Sequence, residues 1–167
     1  MAISLDGFIA SPDGSVRWLE AYDPYEVGFG EFLGSVGAIV MGRRSYDQML
    51  TFGPSPWDEK RTIVMTRKPL RDAAAATSAS AERVETIADR LAAETIDGDV
   101  WVFGGGEVAR AFLAAGRLDT LELCIVPHLI GQGVPLFSGD TRPSNLRLSG
   151  SRQYPNGLVC LDYDVLR

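Results

Sequence analysis

The chain has 167 residues, with 16 Lys and Arg against 22 Asp and Glu, so its formal net charge is −6. This length is typical of one domain with its own core, and the 46% hydrophobic and 23% charged content excludes a disordered, collagen-like or coiled-coil chain. The acidic balance excludes a general nucleic-acid binder, which needs a basic face. We therefore expect one domain over residues 1–167 whose partner is a small molecule, not a nucleic acid.

The predicted elements begin with a strand at Ile3 to Leu5 that ends at the turn Asp6-Gly7. Helices and strands then alternate: helix 24–35, strand 36–41, helix 43–50, strand 61–66, a short exposed strand within 73–81, helix 82–94, strand 100–103, helix 107–115 and strand 121–126. Residues 146–154 and 158–166 form an antiparallel pair across Asn156-Gly157, since Asn-Gly favours tight turns. This order predicts an α/β fold with a mostly parallel sheet and an antiparallel edge.

The membrane, redox and metal signals are weak. No apolar run reaches the ~18–20 residues that span a bilayer, and no basic region precedes Asp6, so we expect no signal peptide and a cytoplasmic location. Cys124 and Cys160 lie in apolar segments and are expected to be buried and reduced. With His128, interpreted as a strand-end residue, they make three residues, too few for a four-ligand zinc site. We expect no metal.

Two predicted strand-to-helix junctions are rich in glycine. The first runs through Met41-Gly42-Arg43-Arg44-Ser45, and the second through Phe103-Gly104-Gly105-Gly106-Glu107. Helix N-termini attract phosphate groups, and glycine lets the backbone approach them closely. Two such junctions favour a ligand with two phosphates, such as a dinucleotide. The alternative is that the glycines only make tight turns.

Basic residues follow the same strand ends. Arg43 and Arg44 follow the first junction, and Arg67 and Lys68 follow the strand that ends at Thr66. Arginine forks match phosphate geometry, so this group indicates recognition of the 2′-phosphate of NADP, although each residue alone is typical of a solvated surface. The chain has neither the G-x-G-x-x-G fingerprint of Rossmann folds nor the Gly-Lys-Ser/Thr of P-loops.

An ordered set of segments carries a family resemblance. They are Ala2-Ile3-Ser4-Leu5-Asp6-Gly7-Phe8-Ile9-Ala10, Met41-Gly42-Arg43-Arg44-Ser45-Tyr46, Val64-Met65-Thr66-Arg67, Phe103-Gly104-Gly105-Gly106-Glu107-Val108 and Pro127-His128-Leu129-Ile130-Gly131-Gln132-Gly133-Val134-Pro135-Leu136-Phe137. Together they resemble the dihydrofolate reductase-like superfamily over nearly the whole chain. The greatest similarity is to stand-alone proteins like the reductase domain of the riboflavin-biosynthesis deaminase–reductase. Because members usually begin several residues earlier, Met1 is expected inside the first strand.

The resemblance implies an eight-stranded, mostly parallel sheet with helices on both faces, and NADPH as cofactor. By resemblance, Gly42, Arg43, Arg44 and Ser45 hold cofactor phosphates, and Thr66 and Arg67 bind the 2′-phosphate. Residues implied in the pyrophosphate loop are Phe103, Gly104, Gly105, Gly106, Glu107, Val108 and Ala109. Ala2 and Ile9 are implied beside the nicotinamide.

The catalytic acid and the substrate stay open. Folate reductases carry an acid on the first helix, and Asp23 and Glu26 bracket that place, with the spacing from Gly42 favouring Glu26; both also suit a helix N-terminus. Phe103 stands where riboflavin-type enzymes carry Glu, whereas the loop at 131–137 is riboflavin-like. The substrate-binding candidates are Trp18, Tyr22 and Phe29, with Phe32 and Trp57 as further aromatics; core packing is the alternative for all five.

The sequence therefore predicts an NADPH-dependent reductase that acts on a C=N or C=O bond of a pterin-like or 5-amino-6-(5-phosphoribosylamino)uracil-like substrate. One alternative is a true dihydrofolate reductase. Another is an NADP- or flavin-binding module without turnover. A homodimer is also predicted, because strand 121–126 and the hairpin 146–166 offer edges that invite pairing.

Overall fold

Four parallel strands carry both glycine-rich junctions. The computed structural model describes residues 1–53, 57–71, 73–137, 139 and 143–167. The strands are β1 Ala2–Ser4, β2 Phe8–Ala10, β3 Val36–Gly42, β4 Arg61–Met65, β5 Thr77–Ser80, β6 Asp99–Gly104, β7 Thr120–Val126, β8 Val134–Pro135, β9 Leu146–Gln153 and β10 Val159–Val165; the helices are α1 Phe29–Ser35, α2 Arg43–Met49, α3 Val84–Ala93 and α4 Gly106–Ala114. The parallel sheet has the order β5-β4-β3-β6, so its strands all end at one edge.

Helices cover both faces of this sheet. On one face α3 and α4 pack Ile87, Leu91 and Phe112 against Val40 and Ile63. On the other face α1 and α2 pack against the opposite side chains of β3 and β4, in a cluster built on Val36, Ile39, Met41, Tyr46, Trp57 and Val64. Strands buried on both faces explain why 36–41 and 63–65 carry no polar side chain.

The remaining strands form a second, mixed sheet. Its order is β1-β7-β10-β9, with β1 and β7 parallel and the other two pairs antiparallel, while β2 and β8 form a separate antiparallel pair. The α/β architecture expected from the resemblance is present. The prediction of a single eight-stranded sheet is corrected, because the strands form two separate four-stranded sheets. The physical reason is that β1 has only three residues and forms its ladder with β7. Met1 extends that ladder, since Cys124 N–H donates to its carbonyl.

The predicted helix over 24–35 is two elements. A 3₁₀ helix spans Pro24–Val27, and α1 begins at Phe29. Gly28 between them has φ +82°, the left-handed conformation that ends a helix and that glycine adopts without strain. The break separates the acidic candidates on the 3₁₀ helix from the aromatic residues of α1.

The prediction that the two cysteines are reduced is also corrected. Cys124 and Cys160 form a disulfide between β7 and β10, not two reduced thiols. The register places the two residues directly opposite each other on antiparallel strands, where facing side chains come close. Composition and compartment arguments contain no register, so they could not show this pairing.

We predict that the disulfide stabilises the fold. It closes a loop of sequence separation 36, and the chain-entropy relation gives roughly 4 kcal/mol for such a loop. The double variant Cys124→Ala/Cys160→Ala should lose about that free energy in urea unfolding, and reductant should destabilise only the wild type. A thiol titration of denatured, unreduced protein that finds two free thiols would contradict the bond itself.

The outer edge of the mixed sheet is open. β9 is the last strand in the order, and every residue in it except Gly150 is exposed. Leu146 and Leu148 are among the exposed apolar side chains. The homodimer stays a prediction. No helix among the described residues is long and apolar enough to cross a membrane.

Candidate functional site

The two glycine junctions meet at neighbouring strand tips. β3 and β6 are adjacent and parallel, with Met41 opposite Gly104. A methyl group at Gly42 would lie 3.2 Å from Val108 Cγ2 and 3.8 Å from the Gly105 nitrogen, and one at Gly105 would lie 3.6 Å from Ser45 Oγ. The 3.2 Å contact at Gly42 is tighter than a normal methyl contact, whereas the 3.6 Å contact at Gly105 is ordinary, so the two helix starts lie within side-chain contact of each other. The starts of α2 and α4 therefore form one surface, which we call the glycine corner (Gly42, Ser45, Gly104, Gly105).

The start of α4 suits an anion. Gly104 has φ +128°, the peptide bond to Gly105 is cis, and Gly105 is the N-cap of this nine-residue helix. No side chain caps the first turn, so backbone N–H groups there are available to a phosphate. Gly105 is half-buried, which leaves the corner open to solvent. These features fit the pyrophosphate of a dinucleotide, although the exposed Glu107 adds a negative charge to the same turn.

Several predicted loop residues contribute only backbone. Gly106 packs so tightly that a methyl group there would lie 2.6 Å from the Leu136 carbonyl oxygen. Ala109 is buried in the core, and Val108 packs against the cluster on the α3–α4 face. The Phe103 ring stacks edge-on against Trp101 at 4.9 Å. These residues thus support the backbone of the glycine corner by packing in the core.

Two clefts receive the predicted basic residues, one along α2 and one at the ends of β4 and β5. The basic cleft has a volume of about 670 Å³ and is lined by Arg43, Asp47, Leu50, Lys68, Pro69 and Arg71. The strand-tip cleft has a volume of about 240 Å³ and is lined by Met65, Thr66, Arg67, Ser80, Ala81 and Glu82. The turn 66–68 separates them. The predicted phosphate ligands Arg43 and Arg67 therefore lie in different clefts, while Arg44 is exposed on the first turn of α2.

A network around Asp6 joins the β1–β2 turn to the loop after β7. Asp6 accepts hydrogen bonds from the Ser4 hydroxyl at 2.6 Å and from the Gly131 and Ile130 N–H groups at 2.7 and 3.2 Å. The Ser4 hydroxyl bond, followed by those two N–H groups, lowers the pKa of Asp6 to about 2. Ala2 and Ile9 lie in the strands on either side of this turn. Asp6 is thus a tether between loops, a role that spans more of the chain than a local turn.

The two candidate acids lie together on the 3₁₀ helix, and both are exposed. The Asp23 carboxylate caps that helix by accepting from Tyr25 N–H at 2.9 Å. Glu26 accepts from the Asn156 side-chain amide at 3.2 Å, which connects it to the turn of the C-terminal hairpin. The Asp23 carboxylate therefore caps a helix by binding a backbone N–H group, whereas the Glu26 carboxylate binds only a side-chain amide among the described residues.

The aromatic candidates do not gather at one place. Phe29 belongs to a cluster with Phe32, Trp57, Trp101 and Phe103, with ring centroids 4.9–6.3 Å apart. Trp18 instead stacks on His128, with centroids 5.8 Å apart. Tyr22 is half-buried in the turn between them in sequence, and no ring contact links it to either group in the described part of the chain.

Three residues of this region were missed by sequence reasoning. Trp101 lies two positions before Phe103 on β6, and that strand period could have placed both rings on one face. Asp47 lies four positions after Arg43, the spacing of helical ion pairs. Arg71 has no local signal, because only the fold brings it beside α2. Among the described residues, no group of three acidic, His or Cys side chains is arranged to hold a metal.

Comparisons with known proteins agree with this geometry. The family model for the RibD C-terminal domain matches residues 1–160. This chain belongs to that family. It is 30% identical over 156 residues to the Bacillus subtilis protein YwjB, covering 92% of this chain and 89% of that one. It is 28% identical over 149 residues to the riboflavin biosynthesis protein RibD of Corynebacterium ammoniagenes, covering 82% of this chain but only 44% of RibD.

Solved structures show the same fold. A Shewanella protein named for riboflavin biosynthesis superposes with a TM-score of 0.84 at 25% identity, covering 100% of this chain and 97% of that one. Dihydrofolate reductase from Enterococcus faecalis, complexed with NADP(H), superposes with a TM-score of 0.65 at 21% identity, covering 98% and 90%. The likeness to dihydrofolate reductase shows a shared fold, and the resemblance to the reductase domain of the riboflavin-biosynthesis deaminase–reductase is confirmed by the family model.

We predict a pH-dependent role for the Asp6 tether. Its pKa of about 2 lies below the ~3.9 of an unfolded Asp, so its contribution to stability is present above pH ~4 and is lost as the pH falls through about 2. Asp6→Asn should lower the urea midpoint at pH 5, and the gap to wild type should close towards pH 2. Asp13→Asn is the matched control, since Asp13 accepts only from Ser15 N–H two residues away. A gap that is the same at pH 5 and pH 2 would contradict the tether.

Proposed function

We propose that the protein is an NADPH-dependent reductase that transfers a hydride to a C=N or C=O carbon of a small heterocycle, either pterin-like or 5-amino-6-(5-phosphoribosylamino)uracil-like. The glycine corner carries this proposal. The helices α2 and α4 each begin at a glycine without a side-chain cap, and both begin at the ends of adjacent strands. Two such helix N-termini suit a ligand with two linked phosphates better than a ligand with one phosphate.

Positioning is the main task of the protein in such a reaction. When bound, the cofactor would supply the hydride. The α4 N–H groups and Ser45 would hold the pyrophosphate, and the Asp6 tether would fix the loops on the β1 side of the same strand edge. Holding two rings in near-attack geometry can supply ~7–11 kcal/mol. Reduction of C=N or C=O also takes up one proton, for which Glu26 is our candidate donor.

Family membership supports the reaction class. Of the proteins named above, the Corynebacterium and Shewanella proteins are named for riboflavin biosynthesis, and the Enterococcus dihydrofolate reductase is complexed with NADP(H). The chain spans less than half of the Corynebacterium RibD, so the whole activity of that protein does not transfer to this one. The substrate within the heterocycle class is therefore part of the proposal.

A binding module without turnover is the second candidate. It is favoured by the exposure of both acids and by the capping bond that occupies Asp23. It predicts tight NADPH binding and no loss of nicotinamide absorbance with dihydrofolate or with aminopyrimidine ribitol phosphates. The reductase proposal requires absorbance loss with at least one of these substrates.

We predict that Arg43 and Arg67 contribute more to the affinity for NADPH than to the affinity for NADH. Arg43→Ala/Arg67→Ala should raise the Kd for NADPH by about tenfold or more, because charge-assisted hydrogen bonds to phosphate are lost. The Kd for NADH, which has no 2′-phosphate, should change little. Isothermal titration calorimetry measures both. Arg147→Ala/Arg152→Ala removes the same charge from the distant β9 and is the control; equal losses for both cofactors would remove the 2′-phosphate role.

We predict different effects for the two acids. Glu26→Gln should lower kcat by about 100-fold if Glu26 delivers the proton. Asp23→Asn should leave kcat nearly unchanged and reduce stability by no more than about 1 kcal/mol, since Asn also caps helices. Steady-state kinetics and urea unfolding distinguish them. Unchanged kcat in both variants would mean that solvent supplies the proton.

A further inference from the structure

The basic cleft and the strand-tip cleft differ in charge. Among the described residues, the basic cleft is lined by three cations, Arg43, Lys68 and Arg71, and by one carboxylate, Asp47. The strand-tip cleft is lined by one cation, Arg67, and one carboxylate, Glu82. A doubly charged phosphate is therefore attracted to the basic cleft more strongly than to its neighbour.

The carboxylate of the strand-tip cleft is fixed in place. Glu82 accepts a hydrogen bond from the Ser80 hydroxyl at 2.8 Å and forms an ion pair with Arg90 at 2.6 Å. It cannot easily turn away from an incoming anion. This cleft, lined also by Met65 and Ala81, therefore carries a fixed negative charge beside Arg67 and attracts a phosphate less than the basic cleft does.

The cations of the basic cleft are held by the fold. The Arg43 guanidinium donates from Nε to Asp47 at 2.7 Å and from Nη1 to the Pro69 carbonyl at 2.9 Å, which leaves Nη2 for a ligand. The buried Tyr46 donates from its hydroxyl to the Arg71 carbonyl at 3.1 Å, so the backbone of Arg71 is anchored beside α2. Asp47 is half-exposed and pairs with Arg43 alone among the described residues.

We propose that Arg71 and Asp47 are specificity-determining residues of opposite sign for a ligand that carries a phosphate dianion on its adenosine end. Arg71, with Lys68 and Arg43, attracts the dianion. Asp47 holds the Arg43 guanidinium but cancels part of the cleft's charge, so it weakens dianion binding. The identity of the ligand rests on the proposed function, in which the dianion is the 2′-phosphate of NADPH.

The test measures Kd by calorimetry for NADPH, NADH, adenosine 2′,5′-bisphosphate and 5′-AMP. Arg71→Ala should weaken NADPH and the bisphosphate by about tenfold and leave NADH and 5′-AMP unchanged, because one charge-assisted contact is lost. Arg71→Lys should restore part of that affinity. Asp47→Asn keeps an acceptor for Arg43 but removes the charge, and should tighten the bisphosphate by about threefold at low salt, less at high salt.

Matched controls remove the same charges elsewhere. Arg167 and Asp119 form an exposed pair near the chain end, so Arg167→Ala and Asp119→Asn should change none of the four affinities. Weaker bisphosphate binding by Asp47→Asn, or an equal effect of Arg71→Ala on NADPH and NADH, would overturn the inference while leaving cofactor binding intact. Failure of the wild type to bind either dinucleotide would instead refute the proposed function.

Discussion

The close approach of β3 and β6 at their carboxyl ends is the constraint on which the rest of this structure depends. Two helices begin side by side at Gly42 and Gly105, and a Cβ at Gly42 would press on Val108 of the second helix at 3.2 Å. The cores on both faces of the sheet serve this approach, since α2 and α4 pack on opposite faces and fix the two strands between them. The surface that we propose for phosphate binding results from this packing before any charged side chain is considered.

The second half of the strand edge is assembled from distant segments of the chain. Asp6 holds the loop at 130–131, and Leu136 N–H donates to the Gly7 carbonyl, so the β1–β2 turn and the β7–β8 loop form one unit. That unit reaches the glycine corner through the backbone at Leu136, which lies against Gly106. The two sheets therefore act together at one edge although no ladder joins them among the described residues.

The features that the sequence predicted correctly are those that depend on residues close together in the chain. The apolar runs of β3 and β6, the glycine junctions and the hairpin turn at Asn156-Gly157 each depend on a few neighbouring residues, and all are present. Two features depend on contacts between residues more than 30 positions apart: the pairing of Cys124 with Cys160, which follows from strand register, and the hydrogen bond from Gly131 to Asp6. The break of the predicted helix at Gly28 depends instead on the φ angle of that one residue, which the sequence does not give. The acid and the aromatic candidates were assigned by spacing alone, and spacing does not show which way a side chain points.

Electrostatics and packing divide the site into parts with different tasks. Backbone N–H groups at α4 carry no sequence preference for one nucleotide over another, so they give affinity for phosphate in general. In the proposed function the charges of the basic cleft would discriminate, because Coulomb attraction scales with the charge of the bound phosphate. The cluster of Phe29, Trp57, Trp101 and Phe103 packs on the α1–α2 face of the sheet, and its last ring comes directly before Gly104 on β6. A change in that cluster alters the core that supports this strand, whereas a change at Arg71 or Asp47 alters only the charge of a surface, so the two kinds of change have different consequences for the fold.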